Sequence, residues 1–199
     1  MGRIARVVAP GMPHHVTQRG NRRMQTFLRE ADYGVYLELM AAWCAAHQVT
    51  IWAYCLMPNH VHVVAVPQTI EGLGRAVGEA HRRYTRHINF REGWRGYLWQ
   101  GRFASFVMDE DHLLRAMRYV ELNPVRAGLV SAPDRWPWSS ARPPDGPRRP
   151  TGEAADDRRI RGRLETLPGT RHFRGRVVAV PSAQPYGPPA RQRYVHRLD

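Results

Sequence analysis

Two histidines stand two residues apart, His60 and His62, inside the tract Met57-Pro-Asn-His-Val-His-Val-Val64. Along a strand, residues two apart point to the same face, so the two imidazoles can sit side by side. A pair placed this way can share one divalent metal ion, and such an ion can polarise a phosphodiester. The spacing alone does not establish a site. A His-x-His on a strand is more often two ordinary half-buried histidines, and imidazole suits zinc, copper, iron and nickel without choosing among them. A second pair lies further on, in Arg118-Tyr-Val-Glu-Leu-Asn-Pro-Val-Arg126. Tyr119 and Asn123 are four apart, one helical turn, so both can face one spot. A tyrosine hydroxyl can attack phosphorus when a Lewis acid draws charge off the phosphate. The Asn123 side chain offers a carbonyl oxygen that could complete a metal shell. Tyrosines on terminal helices more commonly serve packing, so this pair too is ambiguous by itself.

The elements around these residues are legible. The flanks Ile51–Leu56 and Val63–Val66 are β-branched and aromatic, and Pro58-Asn59 between them is a turn signal. Strands are therefore expected at about 49–56 and 60–66. His14-His-Val-Thr-Gln18 reads as an earlier strand, followed by an Arg19-Gly-Asn-Arg-Arg23 turn or loop. Apolar residues at Tyr33, Tyr36, Leu37, Met40 and Trp43 recur at spacings of three and four, which predicts a helix over 30–47. Ile70, Leu73, Val77, Tyr84 and Ile88 predict another over about 70–89. A strand follows at about 103–108. Asp109 and Asp111 then open a helix, because acidic residues suit a helix N-terminus. That helix runs to about Leu122 and meets Pro124. The order β-α-β-β-α-β-α predicts an α+β, ferredoxin-like (RRM-like) fold, a split βαβ antiparallel sheet with helices on one face plus a C-terminal helix carrying Tyr119. A sheet face left free in this way is a common nucleic-acid platform.

Charge points to the same partner. The 199 residues carry a net charge of +13, and since no lysine occurs, all 30 basic residues are arginine. Arginine grips phosphate through a planar fork of donors and stacks on bases. A GC-rich genome explains the missing lysines but not the excess of positive charge, which favours a polyanion. Apolar runs fall far short of a membrane span, and Met-Gly-Arg-Ile-Ala-Arg at the start lacks the apolar core of a secretory signal. Cys44 and Cys55 make neither a disulfide framework nor a zinc knuckle. A reduced, cytoplasmic, DNA-associated protein is the expectation. The composition changes near residue 141, where Pro-Pro-Asp-Gly-Pro-Arg-Arg-Pro begins a stretch rich in Arg, Pro and Gly. Residues 1–140 are read as the folded domain and 141–199 as a basic, partly disordered extension.

Taken in order, Met-Pro-Asn-His-Val-His, Leu-Trp-Gln-Gly-Arg-Phe and Tyr-Val-Glu-Leu-Asn-Pro-Val-Arg-Ala-Gly resemble the single-tyrosine HUH transposases. The closer resemblance is to the REP-associated tyrosine transposases of bacteria, and it covers about residues 10–140. His-Val-Thr-Gln-Arg-Gly-Asn near the start and Trp136-Pro-Trp-Ser-Ser140 fit the same pattern. The resemblance implies that His60 and His62 hold a magnesium or manganese ion against a scissile phosphate of single-stranded DNA beside a hairpin. It implies that Tyr119 attacks to form a 5′-phosphotyrosine link, and that Asn123 stands where relatives place a third ligand. Because a residue before proline is pushed from helical angles, Asn123 is expected at a fraying helix end. Candidate DNA contacts are Arg19, Arg22 and Arg23 after the first strand, Arg102 beside Trp99, and Arg83 and Arg86 on the second helix, with His81 and Arg82 on the same basic face. Trp99 and Phe103 could stack on a base, although tryptophan in such a segment is more often core. The same fold could instead serve a noncatalytic hairpin- or RNA-binding module, and monomer and homodimer both remain open.

Overall fold

A computed structural model of the chain describes residues 6–141 and 157–166. Four strands, β1 (His14–Arg19), β2 (Val49–Met57), β3 (His60–Pro67) and β4 (Ala104–Val107), form one sheet in the order β2-β3-β1-β4. Every neighbouring pair is antiparallel. Helix α1 (Glu30–Ala46) follows β1, α2 (Gly72–Glu92) follows β3, and α3 (Glu110–Arg126) follows β4. This is the ferredoxin-like arrangement that the element order predicts.

Strand alternation divides the apolar residues between two cores. Val16, Val61, Val63 and Ala65 face α1 and α2, where Tyr36, Met40, Leu73, Val77 and Tyr84 are buried. Val64, Val66, Cys55 and Met57 face the other way, onto Leu113, Met117 and Val120 of α3. Trp52 and Ala53 both join this second core because a bulge shifts the register between Ile51 and Ala53. The second face is thus covered over β2 and β3 by α3. Trp136-Pro-Trp-Ser-Ser140 closes the β2 edge: Leu56 N donates to Trp138 O at 2.9 Å, and Ser140 N to Tyr54 O at 2.9 Å. An edge strand shielded in this way cannot template further pairing.

Helix α3 begins as expected, with Asp109 Oδ1 accepting from His112 N at 2.8 Å. Its end differs. It continues through Pro124 to Arg126 instead of stopping near Leu122. Proline removes one amide donor and crowds the carbonyl four residues back, yet this close to the C-terminus the helix has little further to run. Ala127 N still bonds Asn123 O at 3.0 Å, so Asn123 sits inside the helix and not at a frayed end. Residues 157–166 add a helix that the sequence reading did not include, α4 (Asp157–Thr166), whose Ile160 is buried against α3. The rest of the 141–199 extension, with the Val177–Val180 cluster, lies outside the described residues.

The helical layer is locked by a buried carboxylate. Asp32 is fully buried; its Oδ2 accepts from Leu28 N at 2.8 Å and Arg29 N at 2.9 Å, and it pairs with Arg91 of α2. Burial alone would raise its pKa, but the bonds from Arg91 and the two amides hold it below the ordinary carboxylate value. Asp32→Ala leaves both amides without their acceptor and takes from Arg91 one of its two carboxylate partners, Glu92 remaining at 2.6 Å. It is expected to cost about 3 kcal/mol or more, read as a lower urea midpoint at neutral pH.

Candidate active site

The candidate site lies between the sheet and α3. His60 and His62 both point to the α3 face, since Val61 and Val63 between and beyond them face the opposite core. Their ring centroids are 5.0 Å apart. Tyr119 leans edge-on against His62 with centroids 5.3 Å apart, and the residue is 40% exposed, so it is reachable from solvent. Asn123, one turn further on, is close enough to the His60 ring for its side chain to raise the pKa of that ring. The four residues singled out by spacing therefore converge, drawn together by β3 and α3 of one chain.

The hydrogen bonds define where lone pairs are. Asn59 Nδ2 donates to Arg23 O at 3.2 Å, which turns Asn59 Oδ1 toward the 2.6 Å contact with His60 Nδ1. That oxygen can only accept, so His60 carries its proton on Nδ1 and the lone pair on Nε2. His62 Nδ1 is 3.1 Å from Nε2 of a third histidine, His15, on β1. His62 Nε2 is buried and has no hydrogen-bond partner. Leaving such an atom unmatched costs roughly 1–3 kcal/mol, and this is the kind of atom a cation would satisfy.

Electrostatics keep the pair neutral. Burial, then the charge of Arg19, lowers the His60 pKa to about 4 against a partial offset from Asn123. Burial, then the neighbours His15, His60 and Arg19, lowers that of His62 to about 2. Arg19 owes this influence to register: it pairs directly with His60 across the β1–β3 ladder and shares its face. Among the described residues, no three His, Cys, Asp or Glu side chains converge as a metal cluster. A cation here would rest on two imidazoles and the neutral Asn123 oxygen, a donor set that fits a weakly held, exchangeable divalent ion.

The arginines divide. Arg19 flanks the histidines. Arg22 and Arg23 follow in a tight 3-10 turn, both exposed and both at positive φ, 52° and 62°. Gly20 permits that turn, because a Cβ there would come within 2.2 Å of Met24 O. Arg83 and Arg86 belong to α2, on the opposite side of the sheet, so the structure does not bring them to the histidines. Arg83 lies over the Trp43 ring at 4.7 Å. Arg102 lines a separate cavity of about 300 Å³ with Arg6, Tyr97 and Trp99.

Some expectations about these side chains are corrected. His81 is no part of an outer basic face: it is buried, bonded to Tyr36 Oη at 2.8 Å and stacked on Trp99. Trp99 is core, its commoner role in such a segment, and Phe103 is core as well. Among the described residues, Phe90 and Tyr97 are the most exposed aromatics, at 89% and 87%, with Trp94 between them in sequence. His15 is the residue the sequence reading missed. Strand alternation puts it on the same face as Thr17 and Arg19, but its contact with His62 depends on the β1–β3 register, which no local pattern reveals.

The fold is thus an α+β ferredoxin-like sheet with a histidine–tyrosine centre against its last long helix. The chain belongs to the IS200-like transposase family, whose model matches residues 9–123. It is 25% identical over 108 residues to a Haemophilus influenzae protein described as a "Putative REP-associated tyrosine transposase", covering 49% of this chain. The chain spans 61% of that relative's length. A solved REP-associated tyrosine transposase bound to a REP hairpin shares the fold, with a TM-score of 0.60 at 21% identity, covering 77% of this chain and 98% of the other. Both relatives carry the name of the branch that the motifs resemble. Among the described residues, no helix is long and apolar enough to cross a membrane.

Proposed function

We propose that the chain cleaves and rejoins single-stranded DNA next to hairpins through a covalent tyrosine intermediate. The observation that carries this reading is the convergence of His60, His62 and Asn123 with Tyr119, which is itself 40% exposed. A magnesium or manganese ion held by the two imidazoles and the Asn123 oxygen would supply the Lewis acid that polarises the scissile phosphate. The Tyr119 oxygen forms a bond to phosphorus while the bond from phosphorus to the 3′-oxygen breaks. The phenol proton passes to solvent and the leaving oxygen becomes a 3′-hydroxyl. A 3′-hydroxyl attacking the phosphotyrosine reverses the exchange, so one phosphodiester is traded for another and no ATP is required.

Arg126, whose guanidinium lies 5.3 Å from the centre of the Tyr119 ring, places positive charge beside the nucleophile. Arg19, Arg22 and Arg23 extend that charge along the end of β1 nearest His60, where they would hold the backbone flanking the cut. The structural relative is bound to a REP hairpin, which makes a palindromic hairpin the substrate to try first. The test is incubation of the full chain with a hairpin oligonucleotide carrying single-stranded flanks, followed by denaturing electrophoresis. A covalent protein–DNA band is expected with Mn²⁺ or Mg²⁺ and not with a chelator. Cleavage that proceeds equally in excess chelator would overturn the metal-assisted reading. Binding without any cleavage would favour the noncatalytic hairpin-binding alternative.

A further inference from the structure

We propose that His15 is a positioning residue: its Nε2 accepts the Nδ1 proton of His62 and so keeps the His62 Nε2 lone pair free for a divalent cation. This rests on the metal reading given above and adds to it a residue from a different strand. The two rings are nearly parallel, with centroids 5.3 Å apart and an interplanar angle of 23°, and both are buried. Register produces the contact. His15 pairs with Val64 and Thr17 pairs with His62, so His15 is the diagonal neighbour of His62 on one face. Strand β1 lies inside the sheet, hydrogen-bonded to β3 and β4, which fixes the imidazole it supplies.

The direction of the bond is the point at issue. Either His62 donates from Nδ1, or His15 donates from Nε2 and leaves the His62 proton on Nε2. The second arrangement buries an N–H with no acceptor, since His62 Nε2 has no partner. It also aims a proton where a ligand lone pair is needed. The first arrangement matches His60, whose Nδ1 is held as a donor by Asn59 Oδ1 at 2.6 Å. Both members of the pair would then present Nε2, His60 through Asn59 and His62 through His15. Partners of this kind, which set tautomer and ring angle, typically change metal affinity by roughly 10–100-fold when lost.

The experiment follows the ring nitrogens of the metal-free full chain by long-range proton–nitrogen correlation NMR, then titrates Mn²⁺ by electron paramagnetic resonance. The wild-type chain is expected to show the His62 proton on Nδ1. His15→Phe is expected to move it to Nε2 and to weaken Mn²⁺ binding by about 10-fold or more. His15→Gln places an amide oxygen near the lost nitrogen, so it should restore the Nδ1 proton and much of the affinity. This rescue separates positioning from mere packing, and it still decides the matter if the phenylalanine variant folds poorly. A His62 proton found on Nε2 in the wild type would overturn the proposal, as would affinity unchanged in both variants. Failure of the wild type to bind Mn²⁺ would overturn the metal reading instead, and the nitrogen signals would still decide what His15 does.

Discussion

In Tyr119→Phe the covalent protein–DNA band is expected to vanish and strand cleavage to fall by at least about a thousandfold, with hairpin affinity within twofold of the parent. The substitution removes one oxygen and no packing atom. The ring can keep its edge contact with His62 and its place beneath Arg126, so neither the fold nor the positive surface changes. What disappears is the hydroxyl proposed to form the bond to phosphorus, and loss of a nucleophile is among the most damaging single changes in any enzyme. Residual cleavage would have to use water. That product carries no protein, so a denaturing gel separates the two routes directly. His60→Ala provides the contrast, since it leaves the phenol and removes a proposed ligand; its activity should fall while the small adduct that does form remains attached to Tyr119. An adduct of normal yield in Tyr119→Phe would mean that another residue is the nucleophile.

The site was legible in the sequence to the extent that its residues are close in sequence. His60 with His62, and Tyr119 with Asn123, are set by the two-residue and four-residue periods of strand and helix, and the structure keeps both pairs together. The β-α-β-β-α-β-α order was legible for the same reason. What was not legible depends on chain segments meeting across the sheet. His15 reaches His62 through a register between β1 and β3 that spans 47 residues. The placement of Arg83 and Arg86 on the far helical layer needs the packing of α2 against α1, not their charge. Pro124 misled for a different reason. Its local rule stops a helix, but burial of Val120, Asn123 and Pro124 against the rest of the molecule outweighs the loss of one hydrogen bond. Trp99 and Tyr97 are two residues apart and equally aromatic, yet one is core and the other 87% exposed.

Acid is expected to unfold the chain in a window set by its buried histidines. An unfolded histidine takes up a proton near pH ~6.5. In the folded chain, burial lowers His15 and His60 to about 4, His81 to about 3 and His62 to about 2, with Arg19 assisting at His60 and the neighbouring imidazoles at His62. Below pH ~6.5 the unfolded chain therefore holds more protons than the folded one. Stability from these groups is full above that value and is lost as the pH falls toward the folded values. Each contributes a slope of about 1.4 kcal/mol per pH unit, so at pH 5 each has lost about 2 kcal/mol. His14, fully buried and lowered in the same way, adds to the loss, which is then large against the total stability of a domain, about 5–15 kcal/mol. The buried carboxylate does not compete in this range: Asp32 is held below the ordinary carboxylate value, so its protonation weakens the fold only at lower pH. Urea midpoints taken between pH 7.5 and 5 should fall steadily with decreasing pH. His81→Gln removes one of these titrating rings while leaving an amide oxygen to accept from Tyr36. It should lower stability at pH 7.5 but make the decline shallower, because one titrating ring is gone. A midpoint independent of pH over this interval would show that these imidazoles are not held neutral by burial.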